Sequence, residues 1–282
     1  MIQRKLFSIV LLVVLNLIAC NQTNKQVVRE ANADITEIDL TAPTVLLSEI
    51  EKAHGGWNHL RSKNDVEYHY EYTVTDGKAD ISTERYIFEN EISFGHYTRH
   101  EINTLPTENG IVTHLFDGEK TKVTLSEDTI EKERTIAVAE FVRRANYFWF
   151  VMPYKLNDTG TIARYLGTEV HNEITYFKLE VTYDEAATEK EQNDIYILYI
   201  NPDTYVIDRF YFSLPFLGIN APVILAEYTY EMVEGQNLAT NRIYFLPDAK
   251  GAYGEIPSIT QTLSQIKFDN GFTKENILSV NK

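Results

Sequence analysis

The sequence predicts a mainly β fold with a few helices, and three observations point to it. Eighteen tyrosines and fourteen phenylalanines stand against three methionines, and aromatic side chains suit a pleated, half-buried surface better than a helix. Several runs alternate apolar and polar residues, of which "VEYHYEYTV" at 66–74 is the clearest. Asp-Gly and Asn-Pro-Asp turns punctuate these runs. With 282 residues, 44% of them hydrophobic, the chain can bury a substantial core. No internal break divides the body, so 44–282 is expected to form one domain.

The first element is an address. "MIQRKLFSIVLLVVLNLIAC" carries Arg4 and Lys5, an apolar core at 6–15, and Leu17-Ile18-Ala19-Cys20. It resembles a bacterial lipoprotein signal peptide ending in a lipobox, and its core falls short of the about 20 apolar residues that span a bilayer. The resemblance implies removal of residues 1–19, a diacylglyceryl thioether on Cys20, and acylation of the new amino group with a chain such as palmitate. Several acyl chains give stable attachment where a single one is marginal. Cys20 is the only cysteine, so a disulfide within the chain, a Cys-based metal site and a thiol nucleophile are excluded. Residues 20–43 are polar without a sustained period and read as a flexible tether. Asn21, where the enterobacterial retention rule looks for Asp, points to the outer membrane, with the body facing the periplasm.

The formal charge is −15. Removing 1–19 would take Arg4 and Lys5 and no acid, leaving 24 basic residues against 41 acidic ones, net −17. Such a field repels nucleic acid, and no basic cluster interrupts it.

The body opens with a helix, because Leu46, Ile50, Ala53, Trp57 and Leu60 recur at helical spacing after Pro43 and a possible Thr44 cap. Gly55 and Gly56 within that pattern imply close packing, a kink or a helix end. A strand then places Val66, Tyr68, Tyr70, Tyr72 and Val74 on one face and Glu67, His69 and Glu71 on the other. Asp76-Gly77 turns into "ADISTERYIFEN", after which "EISFGHYTRHEINT", "GIVTHLFD" and "EKTKVTLS" continue an antiparallel meander, the last two joined at Asp117-Gly118. A second helix is expected over 134–152, with Val138, Phe141, Val142, Ala145, Phe148, Trp149 and Met152 on one stripe and Pro153 as its stop. Its last turn, 147–152, is apolar or aromatic all round, so it must be covered on every side.

Strands resume with "TIARYLGTEVHNEITYFKLEVTY", "DIYILYINPDTYVIDRFYFSL", "VILAEYTYEMVEG" and "LATNRIYFL", with turns at 201–204 and 234–237. The count is about eleven strands and two helices. In "FYFSLPFLGINAPVILAEY", two strands are bracketed by Pro215 and Pro222. The connection Phe216-Leu217-Gly218-Ile219-Asn220 is apolar where connectors are ordinarily polar. It is expected to fold under the helical cover as a plug; the alternative is projection toward membrane or cargo.

Residues 163–184, "ARYLGTEVHNEITYFKLEVTYD", and 194–212, "DIYILYINPDTYVIDRFYF", with "KAHGGWNHL" near the start, resemble the outer-membrane lipoprotein-sorting superfamily of periplasmic carriers and receptors, and in particular lipoproteins of the Bacteroidetes type. The resemblance implies an α+β fold, a curved, incomplete antiparallel β-barrel closed by helices. Its concave face would hold an acyl chain of a lipid or lipoprotein. Such a pocket needs no cofactor and no catalytic residue, since each buried methylene contributes about 0.8 kcal/mol.

The residues placed at this ligand are Tyr147, Phe148, Trp149 and Met152 of the second helix with Phe216, Leu217 and Ile219 of the apolar connection. No Gly-x-Ser-x-Gly elbow, His-Glu-x-x-His, P-loop or dinucleotide fingerprint occurs, so an enzyme is not expected. His96 and His100 would share a strand face about four residues apart, too far for one metal. His54 and His59 flank the double glycine. Glu67, His69 and Glu71, like Asp184-Glu185 and Glu189-Lys190-Glu191, read as solvated acids. Two functions follow: a tethered carrier or receptor for an apolar ligand, or a non-enzymatic envelope sensor or scaffold with a filled core and a protein partner.

Overall fold

The computed structural model describes residues 42–188 and 192–279, all of which belong to one compact unit beginning at Leu40. The leader, Cys20 and most of the tether lie outside the described residues, as do Glu189, Lys190 and Glu191.

Two short helices, α1 (Pro43–Ala53) and α2 (Trp57–Arg61), precede six strands: β1 (Asp65–Val74), β2 (Ala79–Ile87), β3 (Ile92–His100), β4 (Val112–Phe116), β5 (Thr121–Leu125) and β6 (Asp128–Thr129). The long helix α3 (Glu133–Lys155) follows. Then come β7 (Thr161–His171), β8 (Ile174–Tyr183), the single turn α4 (Glu185–Thr188), β9 (Tyr196–Ile200), β10 (Ile207–Leu214), β11 (Ile219–Val233), β12 (Gln236–Phe245) and β13 (Ile259–Phe268). The thirteen strands form one antiparallel sheet in the order β6-β5-β4-β3-β2-β1-β13-β12-β11-β10-β9-β8-β7. The first and last strands pair at its middle, and α3 links its two free edges.

The sheet is open but curled around α3. Phe150 packs on Tyr68 of β1 and Tyr86 of β2, while its neighbour Trp149 packs on Tyr196 of β9, Phe210 and Phe212 of β10 and Tyr244 of β12. β2 and β9 stand six ladder steps apart, roughly 29 Å along a flat sheet. A helix with its side chains is only about 10–12 Å across, so one turn can touch both strands only if the sheet wraps round it. This is the mainly β, incomplete antiparallel barrel closed by helices that the sequence implied, with α1 adding Leu46, Leu47 and Ile50 to the core beside Met152 of α3.

Four expectations need correction. Among the described residues the strands number thirteen rather than about eleven: β6 has two residues, and the unforeseen β13, "ITQTLSQIKF", is mostly polar on both faces although it pairs with β1 and β12. The first helix is two helices, because Gly55 and Gly56 have φ of 109° and 82°, values that glycine adopts without strain. A Cβ on Gly55 would lie 2.5 Å from the carbonyl oxygen of Gly235, so the corner seats directly against the β11–β12 turn. α3 continues to Lys155 with Pro153 inside its last turn. Finally, His96 and His100 do not share a face. Ser82 pairs with Tyr97 but Ile81 with Arg99, and this one-residue bulge turns His100 to the concave face while His96 stays on the convex one.

Candidate functional site

The concave face reads across strands as rows of paired residues. Tyr68, Glu84, Gly95, His114 and Val123 form one row from β1 to β5. Tyr228, Arg242, Gln261 and Tyr72 form another across β11, β12, β13 and β1. α3 lies over both halves and makes no ladder hydrogen bond, since its tie to the sheet is through side chains.

The apolar turn of α3 sits where the sheet closes round it. Tyr147 and Met152 are buried. Tyr147 meets Tyr86 edge-on at 5.3 Å, its hydroxyl has no partner among the described residues, and burial pushes its pKa up. Phe148 and Trp149 are half-buried; Phe148 stacks on Tyr196 at 5.7 Å and Trp149 on Phe210 at 5.8 Å. The turn thus divides between two core clusters: Phe148, Trp149 and Met152 pack with the β8–β12 half of the concave face, and Tyr147 with the half formed by β1 and β2.

The apolar connection reaches that core only through Ile219 and is tighter than its sequence suggested. Leu214 pairs with Ile219, so β11 begins four residues before the Val223 start expected from the alternation, after a 3-10 turn at Pro215–Leu217 and Gly218 at φ 78°. Pro222 lies inside β11 in the stretch 220–223, which pairs with neither β10 nor β12, so its missing N–H leaves the ladder intact. Ile219 is half-buried against the core. Phe216 and Leu217 are 56% and 61% exposed, and Phe216 stacks on Phe141 of α3 with centroids 4.0 Å apart. The expected plug is therefore replaced by a tip that clasps the outer side of α3 and exposes Leu217.

The polar anchor of α3 was not anticipated. Arg143 donates to both carboxylate oxygens of Glu84, at 2.5 and 3.0 Å, and also to the hydroxyl of Tyr97. Ser82 donates to the same carboxylate at 2.7 Å. The guanidinium occupies the space above Gly95, where a Cβ would stand 2.6 Å from it. Burial works against the charge of Arg143, but Glu84, Tyr97 and Tyr86 together outweigh it and raise the pKa. His114, next in the row, is buried, and among the described residues neither ring nitrogen has a partner; burial and then Arg143 hold its pKa well below the ordinary range. The available signal was spacing: Arg143 lies four residues from Ala139 and Tyr147, on the buried side of α3.

"KAHGGWNHL" is a corner that docks the helices. His54 shares a 2.7 Å hydrogen bond between Nδ1 and the Ile50 carbonyl. Its own carbonyl accepts from the Tyr154 hydroxyl (2.7 Å) and from the backbone N–H of Asn237 (3.0 Å). Trp57 stacks on Tyr154 at 5.6 Å, and His59 bonds to Gln236 at 2.8 Å. Glu67 belongs to a pair rather than a solvated face: it accepts from Arg85 at 2.6 Å, and Arg85 holds the carbonyls of Ile277 and Ser279.

Two cavities, of about 280 and 540 Å³, have polar linings. One lies by Tyr176, Asp208, Arg209 and Glu227, the other by Arg61, Asp65, Glu89 and Asp269. Neither includes a residue of the expected ligand set. Among the described residues no group of three or more His, Cys, Asp or Glu could hold a metal, and no helix is long and apolar enough to cross a membrane.

In structure the chain is similar to a putative outer membrane lipoprotein-sorting protein domain from Vibrio parahaemolyticus, at 10% identity over 83% of this chain and 94% of that one, with a TM-score of 0.45. It is similar also to a LolA superfamily protein from Nitrosomonas europaea (15% identity, 82% and 97% covered, TM-score 0.47). A DUF1329 family protein from Desulfovibrio piger gives 11% identity, 84% and 96% covered, and a TM-score of 0.48. No curated protein matches the sequence. The model of the family of unknown function DUF6503 matches residues 54–218, more than half of the chain, from the helical corner at His54 through α3 to the β10–β11 tip, and the chain belongs to that family.

Proposed function

We propose that this chain is a lipid-anchored envelope protein that binds an apolar chain on the concave face of its sheet, with α3 as a displaceable cover. One observation carries the reading: α3, the longest helix over the concave face, shares no backbone ladder with the sheet, so lifting it would bare an apolar trough at no cost in strand pairing. Tyr147, Phe148, Trp149 and Met152 then act as the cover's inner surface, and Ile219 lies on the adjoining wall. Phe216 holds the outer side of α3 through Phe141, and Leu217 offers apolar contact at the tip. The lipobox at Cys20 and the tether at 20–43 support attachment to the outer membrane with the body in the periplasm. No step of this function needs catalysis.

A second reading, a sensor or scaffold with a permanently filled core and a protein partner, is favoured by the aromatic filling and by cavities that lie elsewhere. Organic extraction of protein purified without detergent exchange, followed by mass spectrometry, tests the two. Stoichiometric recovery of an acyl-chain lipid supports the carrier. Recovery of none, together with no binding of a fluorescent fatty-acid probe, leaves only the scaffold.

A further inference from the structure

Among the described residues, Arg242 is a buried cation without an acid to answer it. It faces the concave side in the row Tyr228, Arg242, Gln261, Tyr72 and is 2% exposed. Among the described residues its hydrogen bond is from Nε to the carbonyl of Ala239 at 3.0 Å, and its guanidinium lies 5.6 Å from the centre of the Tyr228 ring. A guanidinium has five N–H donors, and burying an ion without a counter-ion costs several kcal/mol. Three acids are buried among the described residues, and all are engaged elsewhere. Glu84 is gripped by Arg143. Asp65 accepts from the backbone N–H groups of Asn270, Gly271 and Phe272. Asp80 accepts from Ile102 and Asn103 and stands three strands away in the same row, roughly 14 Å at the usual strand spacing.

The surroundings of Arg242 suit an anion with a greasy tail. Tyr228 donates to Tyr244 at 2.9 Å and Tyr244 to Gln261 at 3.1 Å, a chain of polar groups beside the guanidinium. Tyr68, Tyr70, Tyr228 and Tyr244 lie around it and remain neutral, because burial raises their pKa. Beyond these tyrosines comes the apolar turn of α3: Phe150 stacks on Tyr68 at 5.3 Å and Trp149 meets Tyr244 at 6.5 Å. Lifting that turn would open the trough and the guanidinium together.

We infer that the apolar ligand carries an anionic headgroup, a carboxylate or a phosphate, and that Arg242 is its counter-ion, with the Tyr228, Tyr244 and Gln261 side chains completing the polar end of the site. This rests on the proposed binding of an apolar chain beneath α3. A charged hydrogen bond made at a buried site discriminates strongly against a neutral analogue, while the low-dielectric surroundings keep the attraction from being screened.

Photo-crosslinking decides it. The full chain, in phosphatidylcholine nanodiscs, is exposed to three sixteen-carbon probes that carry a diazirine near the headgroup and end in a carboxylate, a phosphate or an alcohol. Labelled peptides are then mapped. The expected result is labelling of β11 to β13 by at least one anionic probe about tenfold above the alcohol, and the stronger of the two anions names the source. Arg242→Gln should bring that probe down to the level of the alcohol, and Arg242→Lys should keep much of the preference. If Arg242→Gln does not fold, the wild-type ratio and the lysine variant decide. Equal labelling by all three probes overturns the headgroup site and leaves apolar binding standing. No labelling of the concave strands by any probe overturns both.

Discussion

Arg143 of α3 and Glu84 of β2 form a two-pronged ion pair in which neither side chain reaches solvent. The pair fixes the middle of the helix to the sheet from which its apolar end is proposed to lift. Breaking a buried pair by removing one partner leaves an uncompensated charge. Arg143→Met or Glu84→Gln should each lower the unfolding free energy by about 3–5 kcal/mol, and joint replacement by Met and Leu should restore most of that loss. Urea denaturation measures it. An Arg143→Met protein within about 1 kcal/mol of wild type would contradict the assignment.

Gly95 is the floor of the same pair. Its added Cβ would stand 2.6 Å from the guanidinium, so Gly95→Ala should destabilise by about 1–3 kcal/mol through overpacking. In an Arg143→Ala background the same change should cost much less. Additive losses in this double-mutant cycle would show that the two residues do not meet.

Acid should loosen the helical corner. Burial lowers the pKa of His54 from 6.5 to about 4, so as pH falls the unfolded chain takes up the proton first. Stability from this site is full above about pH 6.5 and falls as pH drops to about 4, with a total loss of about 3 kcal/mol. Urea midpoints at pH 7 and 4.5 should separate for wild type and converge for His54→Gln relative to it. An equal separation in both proteins would remove His54 as the cause.

Leu217→Glu tests the corrected position of the tip. Leu217 is exposed, so the change should alter stability by no more than about 0.5 kcal/mol. Phe216→Ala should cost more, about 0.5–1.5 kcal/mol, because it removes the stack on Phe141. A Leu217→Glu protein whose melting temperature falls by many degrees would return the tip to the role of a plug.

The legible parts of this fold were those written in period. The alternation of Val66, Tyr68 and Tyr70 and the turns at Asp76-Gly77 and Glu234-Gly235 gave strands and hairpins that the structure keeps. β13 escaped because Thr260, Gln261, Ser264 and Gln265 carry little apolar signal; its place is set by β1 and β12 on either side. The His96 and His100 faces were misread because a one-residue bulge leaves no mark in the pattern. Pro153 ends no helix, since α3 runs one short step further to Lys155. The packing turn at 147–152 was visible as apolar on all sides, but its division between two core clusters was not. Arg143 and Arg242 were passed over because a charged residue in an alternating or helical run reads as surface, and only cross-strand register reveals that Arg242 shares a face with Tyr228 and Gln261.

The central claim is that an apolar chain lodges against the inner surface of α3. The chain has two tryptophans, and Trp149 is the one that faces the trough, so Trp57→Phe leaves a single reporter at the site. Titration of that protein with doxyl-stearate, whose spin label quenches only at close range, measures the claim directly. Saturable quenching of Trp149, competed by unlabelled stearate, is the predicted result. Unchanged Trp149 emission throughout the titration would contradict it.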